Sequence, residues 1–321
     1  MDGPAWALRL DDEAHAVSDH VPALRPGEAT VALRLGGVCA TDLELVRGYM
    51  GFRGVLGHEF VGEVLEAPGA DDLRGKRVVG DINCPCGTCP TCRAGRPTHC
   101  PSRTVLGIDQ RDGAFAERFS LPVGNLHVVP DAVPDDAAVF VEPLAAALEI
   151  LEQVHVAPST RAVVLGVGRL GQLVARVLAL AGAEVAGVGR SAQRLALLPP
   201  GVTAVPADRA EALAGADLVV DCTGSRDGLA LATRLVRPRG TVVMKTTVHD
   251  PAGISPIPWV LDEVRLVGSR CGPFAPALRL LAAGAVDPRP LIGARFPLAR
   301  GAEALAAAAS GAAVKVVITP S

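Results

Sequence analysis

The sequence predicts an α/β chain in two parts, a β-rich N-terminal domain followed by a doubly wound parallel sheet. Three observations predict it. Up to about Pro134 the apolar runs are short, strand-like and bounded by Gly or Pro. From there to about Gly272, short apolar strands alternate with helical segments, the pattern of a parallel sheet covered on both faces. A glycine-rich turn over residues 166–171 falls directly between an apolar run and a helical one.

In the first part, residues 29–35 (ATVALRL) follow the turn Arg25-Pro26-Gly27 and read as a strand. Residues 60–65 and 77–79 are further strands, and 114–121 and 126–129 continue the series. In the second part the strands are 162–165, 184–188, 218–221, 241–244 and 264–267, with a helix over 170–181. Beyond Gly272 the pattern predicts helices over 275–283 and 300–309, then a strand over 314–318. A terminal strand needs a sheet to join, and the first domain is the expected one.

With 321 residues the chain exceeds what one small core can organise, so two domains of ordinary size are expected. Hydrophobic residues at 49% against charged residues at 20% give ample material to bury and argue against disorder. Aromatics at 3% mean that Ala, Leu and Val must build the cores. The net charge of −3 comes without any run of Lys or Arg, which removes nucleic acid and anionic membrane surfaces from the expected partners. The opening Met1-Asp2-Gly3-Pro4 lacks a basic segment followed by an apolar run, and no stretch approaches eighteen uninterrupted apolar residues. A soluble cytoplasmic protein is expected.

Eight cysteines are present, five of them (Cys84, Cys86, Cys89, Cys92, Cys100) within seventeen residues. In a cytosolic chain such clustering reads as metal binding rather than disulfide bonding. Cys86, Cys89, Cys92 and Cys100 supply four thiolates on one short lobe, enough to close a tetrahedral shell around a structural zinc ion. Cys84 and His99 are the alternative ligands. Cys39, in Gly37-Val38-Cys39-Ala40-Thr41-Asp42, stands nineteen residues before His58-Glu59. Thiolate, imidazole and carboxylate with an open position are the ligand types of a catalytic zinc ion, so Cys39, His58 and Glu59 are candidate ligands.

Gly166-Val167-Gly168-Arg169-Leu170-Gly171 closes a strand and opens a helix, the context in which this pattern binds a dinucleotide. The first glycine allows the tight turn, the second lets the backbone approach a pyrophosphate, and the third lets helix pack on strand. At the end of the next strand, where an NAD enzyme carries Asp or Glu, the chain reads Val188-Gly189-Arg190-Ser191. Gly189 leaves room, Arg190 offers a charged fork and Ser191 a hydroxyl for a 2′-phosphate, so NADP(H) is favoured over NAD(H). His15, His20, His155 and His249 carry no pattern that points to chemistry.

Cys39-Ala40-Thr41-Asp42, Gly57-His58-Glu59-Phe60, the four-cysteine lobe, Val141-Glu142-Pro143-Leu144 and the dinucleotide turn occur in one chain. Together they resemble the zinc-dependent medium-chain dehydrogenase/reductase superfamily, which includes alcohol, sorbitol, threonine and glucose dehydrogenases. The resemblance spans nearly the whole chain. It implies a GroES-like catalytic domain over residues 1–136, with the zinc lobe at 84–103, and a Rossmann cofactor domain over 137–271. Residues 272–321 are then a C-terminal return to the catalytic domain, and the active site lies in the cleft between domains.

Position by position, the resemblance implies Cys39 and His58 as zinc ligands. Glu59 matches the carboxylate that binds the metal directly or stands just behind it. Glu142 matches the position that is glutamate in the polyol, threonine and glucose branch. Thr41 matches the hydroxyl that takes the substrate proton, and Asp42 the carboxylate that orients a ligand histidine. Glu44 stands where many members have the histidine that ends a proton relay, and it reads equally as that terminus or as a solvated residue. In the cofactor domain the strand ends at Cys222, Thr223, Met244, Ser269 and Arg270 are further candidate contacts, since ligands sit at such ends.

The resemblance implies two zinc ions per chain and reversible hydride transfer between nicotinamide and a polyol, sugar or other secondary alcohol. It also implies a homodimer or homotetramer. An NADPH-dependent aldehyde or ketone reductase and a non-catalytic NADPH-binding relative are the alternatives.

Overall fold

The structure is a computed structural model that describes residues 5–246 and 255–321. Met1 to Pro4 and His249 therefore lie outside the described residues. The chain divides into two compact units, the first comprising Met1–Glu142 with Phe274–Ser321 and the second Pro143–Pro273.

The first unit is built on a seven-stranded sheet among the described residues. Its centre is β1 (Glu28–Gly37), whose alternating apolar residues put Ala29, Val31, Leu33 and Leu35 in the core. Then come α1 (Ala40–Val46), β2 (Glu59–Glu66), β3 (Arg77–Gly80), β4 (Arg118–Pro122) and β5 (Leu126–Val128). β1 pairs antiparallel with β2 and, over its first half, with β4; β3 and β5 extend the sheet from β2. The β1–β2 register sets Gly37 opposite Glu59. That register brings the turn carrying Cys39 beside the turn carrying His58.

The boundary between the units falls within α2 (Val141–Gln153). The second unit then runs through β6 (Arg161–Leu165), α3 (Arg169–Leu180), β7 (Glu184–Gly189), α4 (Ala192–Leu195) and β8 (Thr203–Pro206). β9 (Ala216–Asp221), β10 (Val236–Met244) and β11 (Arg265–Gly268) follow. The strands form one parallel sheet in the order β8-β7-β6-β9-β10-β11. Its direction of winding reverses between β6 and β9, the point at which such sheets hold a ligand. β6 is buried except at its first residue, which is why it reads as a continuous apolar run.

The chain then re-enters the first unit. β12 (Ile292–Pro297) and β13 (Lys315–Thr319) pair in parallel, and β13 pairs antiparallel with β1, setting Val317 beside Gly37. Leu8, Leu56, Phe115, Val316 and Ile318 share the first unit's core, while Val163, Leu165, Val219 and Val242 anchor the second. No helix among the described residues is long and apolar enough to cross a membrane.

Candidate active site and cofactor site

Gly37 has Glu59 on one side and Val317 on the other. A Cβ there would fall 2.7 Å from Glu59 Oε2 and 2.8 Å from Lys315 Cε, so the glycine leaves the gap in which those side chains meet. Glu59 Oε2 and Lys315 Nζ form an ion pair, and both residues are 1% exposed. Lys315 Nζ also donates to Val38 O at 3.3 Å and lies 5.6 Å from the centre of the Phe140 ring.

Cys39 stands at the N-terminal cap of α1, where its N–H donates to Asp42 Oδ2 at 2.8 Å. Thr41 Oγ1 is 3.8 Å from Cys39 Sγ. Asp42 is fully buried, and its other oxygen, Oδ1, is 3.2 Å from His58 Nδ1. The two atoms lie off the line of a hydrogen bond, and each is buried without another partner among the described residues. Burial works to lower the His58 pKa, but Asp42 and Cys39 outweigh it and hold the imidazole well above its ordinary value of 6.5. With Nδ1 facing a carboxylate, Nε2 is the nitrogen free to bind a metal.

Cys39 Sγ, a ring nitrogen of His58 and a carboxylate oxygen of Glu59 all lie within 4.8 Å of one another. A thiolate, an imidazole and a carboxylate this close suit zinc. Glu142, at the start of α2, falls outside that group. Its carboxyl is pushed up to about 7, first by burial and then by Glu59, with His58 and Lys315 opposing, although part of its surface stays in contact with solvent. Glu44 lies one turn along α1 from Thr41 and accepts a bond from Arg47 Nη1 at 2.6 Å.

The lobe brings Cys86, Cys89, Cys92 and Cys100 together. Sγ separations are 3.5 Å for Cys89–Cys92, 3.8 Å for Cys89–Cys100 and 3.6 Å for Cys86–Cys100. Sulfurs at about 2.3 Å from a tetrahedral zinc stand about 3.8 Å apart, so these donors fit that ion. Backbone N–H groups of Thr88 and Cys89 hold the Cys86 thiol down to about 6. Neither Cys84 nor His99 belongs to the group: Cys84 is buried against Ile82 O, and His99 Nδ1 meets Thr98 Oγ1 at 3.1 Å.

In the second unit the glycine turn joins β6 to α3. Gly166 has a φ of +87°, open to glycine at little cost, and a Cβ on Gly171 would lie 1.9 Å from Gly166 O. Arg169 and Leu170 open α3. At the end of β7 a Cβ on Gly189 would sit 2.5 Å from Val167 Cγ2, so packing alone disfavours a side chain there. Arg190 is exposed, and Ser191 Oγ caps α4 by accepting the Arg194 N–H at 3.4 Å.

Of the remaining predicted contacts, Thr223 Oγ1 donates to Asp221 Oδ1 at 2.7 Å. The Cys222 thiol is pushed up to about 12, first by burial and then by Asp221, and stays protonated. Met244 O accepts from Ser269 N at 3.2 Å, and Ser269 Oγ is buried without a partner among the described residues. Arg270 is exposed, and its carbonyl accepts from Lys245 Nζ at 2.9 Å.

Two residues of these sites escaped the sequence reading. Lys315 sits in a run, KVVIT, that looks like any apolar strand with a solvated lysine at its start. Arg194 lies four residues past Arg190, and its Nη1 stands 3.9 Å from where a Cβ on Gly168 would be. Burial lowers the Arg194 pKa, and the positive charges of Arg169 and Arg190 act in the same direction.

A family profile for the Alcohol dehydrogenase GroES-like domain matches residues 25–131, and one for Zinc-binding dehydrogenase matches residues 170–283. The L-galactonate-5-dehydrogenase of Escherichia coli (strain K12) is 30% identical over 302 residues, covering 88% of each chain. The chain belongs to the zinc-dependent medium-chain dehydrogenase/reductase family. A second relative of this dehydrogenase, the sorbitol dehydrogenase of Halalkalibacterium halodurans, is 28% identical over 95% of this chain and 96% of its own. Among solved structures, a zinc-binding dehydrogenase from Sinorhizobium meliloti 1021 bound to NADP matches with a TM-score of 0.90 at 30% identity, over 99% of this chain and 100% of that one. This medium-chain dehydrogenase is thus an oxidoreductase acting on CH–OH groups, with a GroES-like unit and a Rossmann unit.

Proposed function

We propose that this dehydrogenase is a zinc-dependent, NADP(H)-preferring enzyme that oxidises a secondary hydroxyl of a polyol or sugar-derived substrate by reversible hydride transfer. The convergence of Cys39, His58 and Glu59, with the Thr41 hydroxyl 3.8 Å from the Cys39 sulfur, carries this reading. The names of its relatives, an L-galactonate and a sorbitol dehydrogenase, support the substrate class.

Cys39 and His58, with Glu59 or Glu142, are the residues to hold catalytic zinc, which would polarise the substrate oxygen and lower its pKa. Asp42 fixes both ligands, accepting the Cys39 N–H and facing His58 Nδ1. Thr41 Oγ1 takes the substrate proton. Lys315 balances the charge of Glu59. Glu44 is either the onward acceptor or, paired with Arg47, a surface residue of α1. Cys86, Cys89, Cys92 and Cys100 hold a second, structural zinc ion.

Gly166, Gly168, Arg169, Leu170 and Gly171 form the cofactor turn, and NADP(H) supplies the hydride chemistry there. Gly189, Arg190 and Ser191 face the adenosine ribose, and Arg194 adds a further cation to favour a 2′-phosphate. Cys222, Thr223, Met244, Ser269 and Arg270 complete the contacts along the strand ends. A cytoplasmic homodimer or homotetramer is the expected form, on family likeness.

The test is metal analysis of the purified protein with cofactor reduction over a panel of polyols, aldonates and simple alcohols. About two zinc ions per chain, turnover on polyol-type substrates and an NADP preference of about tenfold or more are expected. Zinc-loaded protein that turns over no alcohol in the panel would defeat the proposal.

A further inference from the structure

Two polar side chains are buried in the middle of α3. Gln172 is 0% exposed and Arg176 is 9% exposed, among Leu173, Val174, Val177 and Leu178, which bury as a helix on a parallel sheet should. An amide and a guanidinium in such surroundings are unfavourable unless their hydrogen-bonding needs are met. Carbonyl oxygens meet them. Gln172 Nε2 donates to Arg194 O at 2.7 Å and to Val167 O at 3.4 Å. Arg176 Nη1 donates to Gln172 Oε1 and Gln172 O, both at 2.8 Å, and Nη2 to Leu197 O at 2.9 Å.

These bonds join two segments that the cofactor turn needs together. Val167 is the middle of the glycine turn, while Arg194 and Leu197 lie at and just past the end of α4. α4 is a single four-residue turn closed by Ala196 rather than glycine; the Leu197 N–H reaches Arg194 O at 3.2 Å, but so short a helix still depends on contacts from outside it. Gln172 supplies one, and Arg176 supplies another while holding the Gln172 amide in place. The object being held is Arg194, whose guanidinium stands over Gly168 beside two others that repel it.

We propose that Gln172 and Arg176 are positioning residues for the 2′-phosphate of NADP(H), acting through α4 on the Arg169, Arg190 and Arg194 cluster. The inference rests on the NADP(H) preference proposed above and extends it to residues that do not touch the cofactor. When the clamp is cut, α4 frays and Arg194 leaves the phosphate. NAD(H), which has no 2′-phosphate, loses little.

The experiment compares wild type, Gln172→Met, Arg176→Met, Arg176→Lys and Arg190→Ala in the zinc-loaded full chain. KM and kcat are measured for both cofactors, with thermal unfolding and hydrogen–deuterium exchange over residues 190–197. Gln172→Met and Arg176→Met are expected to raise KM for NADP about tenfold, move KM for NAD and both kcat values less than about twofold, and speed exchange over 190–197. Arg176→Lys, which keeps a donor to the same carbonyls, is expected to recover part of the NADP affinity. Equal losses for both cofactors, or unchanged exchange in the milder Gln172→Met, would overturn the clamp. Should Arg176→Met fail to fold, Gln172→Met alone carries the test. A wild type that prefers NAD, with Arg190→Ala leaving that preference unchanged, would instead sink the NADP(H) reading and the clamp's role with it. A preference for NADP that Arg190→Ala abolishes and Gln172→Met leaves intact would sink the clamp only.

Discussion

Lys315 Nζ and Glu59 Oε2 form a buried ion pair that ties β13 to β2 beside the histidine of the candidate metal site. The pair is enclosed, with Val38 O as a further acceptor for the lysine. Removing one partner strands the other charge. Lys315→Met is expected to cost about 3–5 kcal/mol of stability in metal-free protein, measured by urea unfolding. Lys315→Met with Glu59→Gln is expected to recover roughly half of that loss or more. A loss below about 1 kcal/mol in the single variant would show that the carboxylate is not held charged there.

Zinc content separates the two candidate metal sites. Cys39→Ser is expected to lower zinc from about two ions to about one per chain and turnover by about a hundredfold or more. Cys100→Ser is also expected to leave about one ion, but its main effect is a fall of several degrees in the thermal midpoint. Full zinc and full turnover in Cys39→Ser would remove it from the site.

Arg190 is the guanidinium at the β7 end through which the cofactor preference is tested first. Arg190→Ala is expected to raise KM for NADP about tenfold while KM for NAD stays within about twofold, since only the former carries the 2′-phosphate. Initial rates with both cofactors at fixed substrate decide it, and parallel changes would count against Arg190.

Stability is expected to fall on acidification partly through His127. Its ring stacks on Phe274, with centres 5.0 Å apart and planes at 16°. Burial lowers its pKa below the ordinary 6.5, with Asp81 opposing. The unfolded chain therefore takes up a proton near 6.5 that the folded chain resists, so this contribution is present above 6.5 and is lost as pH falls towards the lower folded value. His127→Phe keeps the stack and is expected to flatten the unfolding free energy between about pH 7 and about pH 5. An equally steep decline in the variant would clear His127 of the effect.

Elements with a strong local period were legible in the sequence. β6 reads as a buried strand because it is covered on both faces, and the four lobe cysteines read as a metal site because their spacing is local. β8 and β12 were not legible. β8 is mostly exposed and contains a proline, and β12 carries Gly293 and Pro297, so neither shows apolar alternation. The site divides the same way. Cys39, His58 and Thr41 announce themselves by residue type and order, whereas Lys315 acquires meaning only from a sheet register that sets β13 against β1. Gln172 and Arg176 sit where a covered helix calls for apolar residues, and only the carbonyls they reach explain them.

Val317 pairs with Gly37 from 280 positions later, and Lys315 enters the same strand. On a translating ribosome, every strand of the second unit emerges before β13 exists, while the far end of β1, at Gly36 and Gly37, waits with one flank open. Glu59 meanwhile has no lysine to meet. A nascent chain halted before residue 315 is therefore expected to offer zinc its cysteine lobe while Glu59 still lacks its lysine partner.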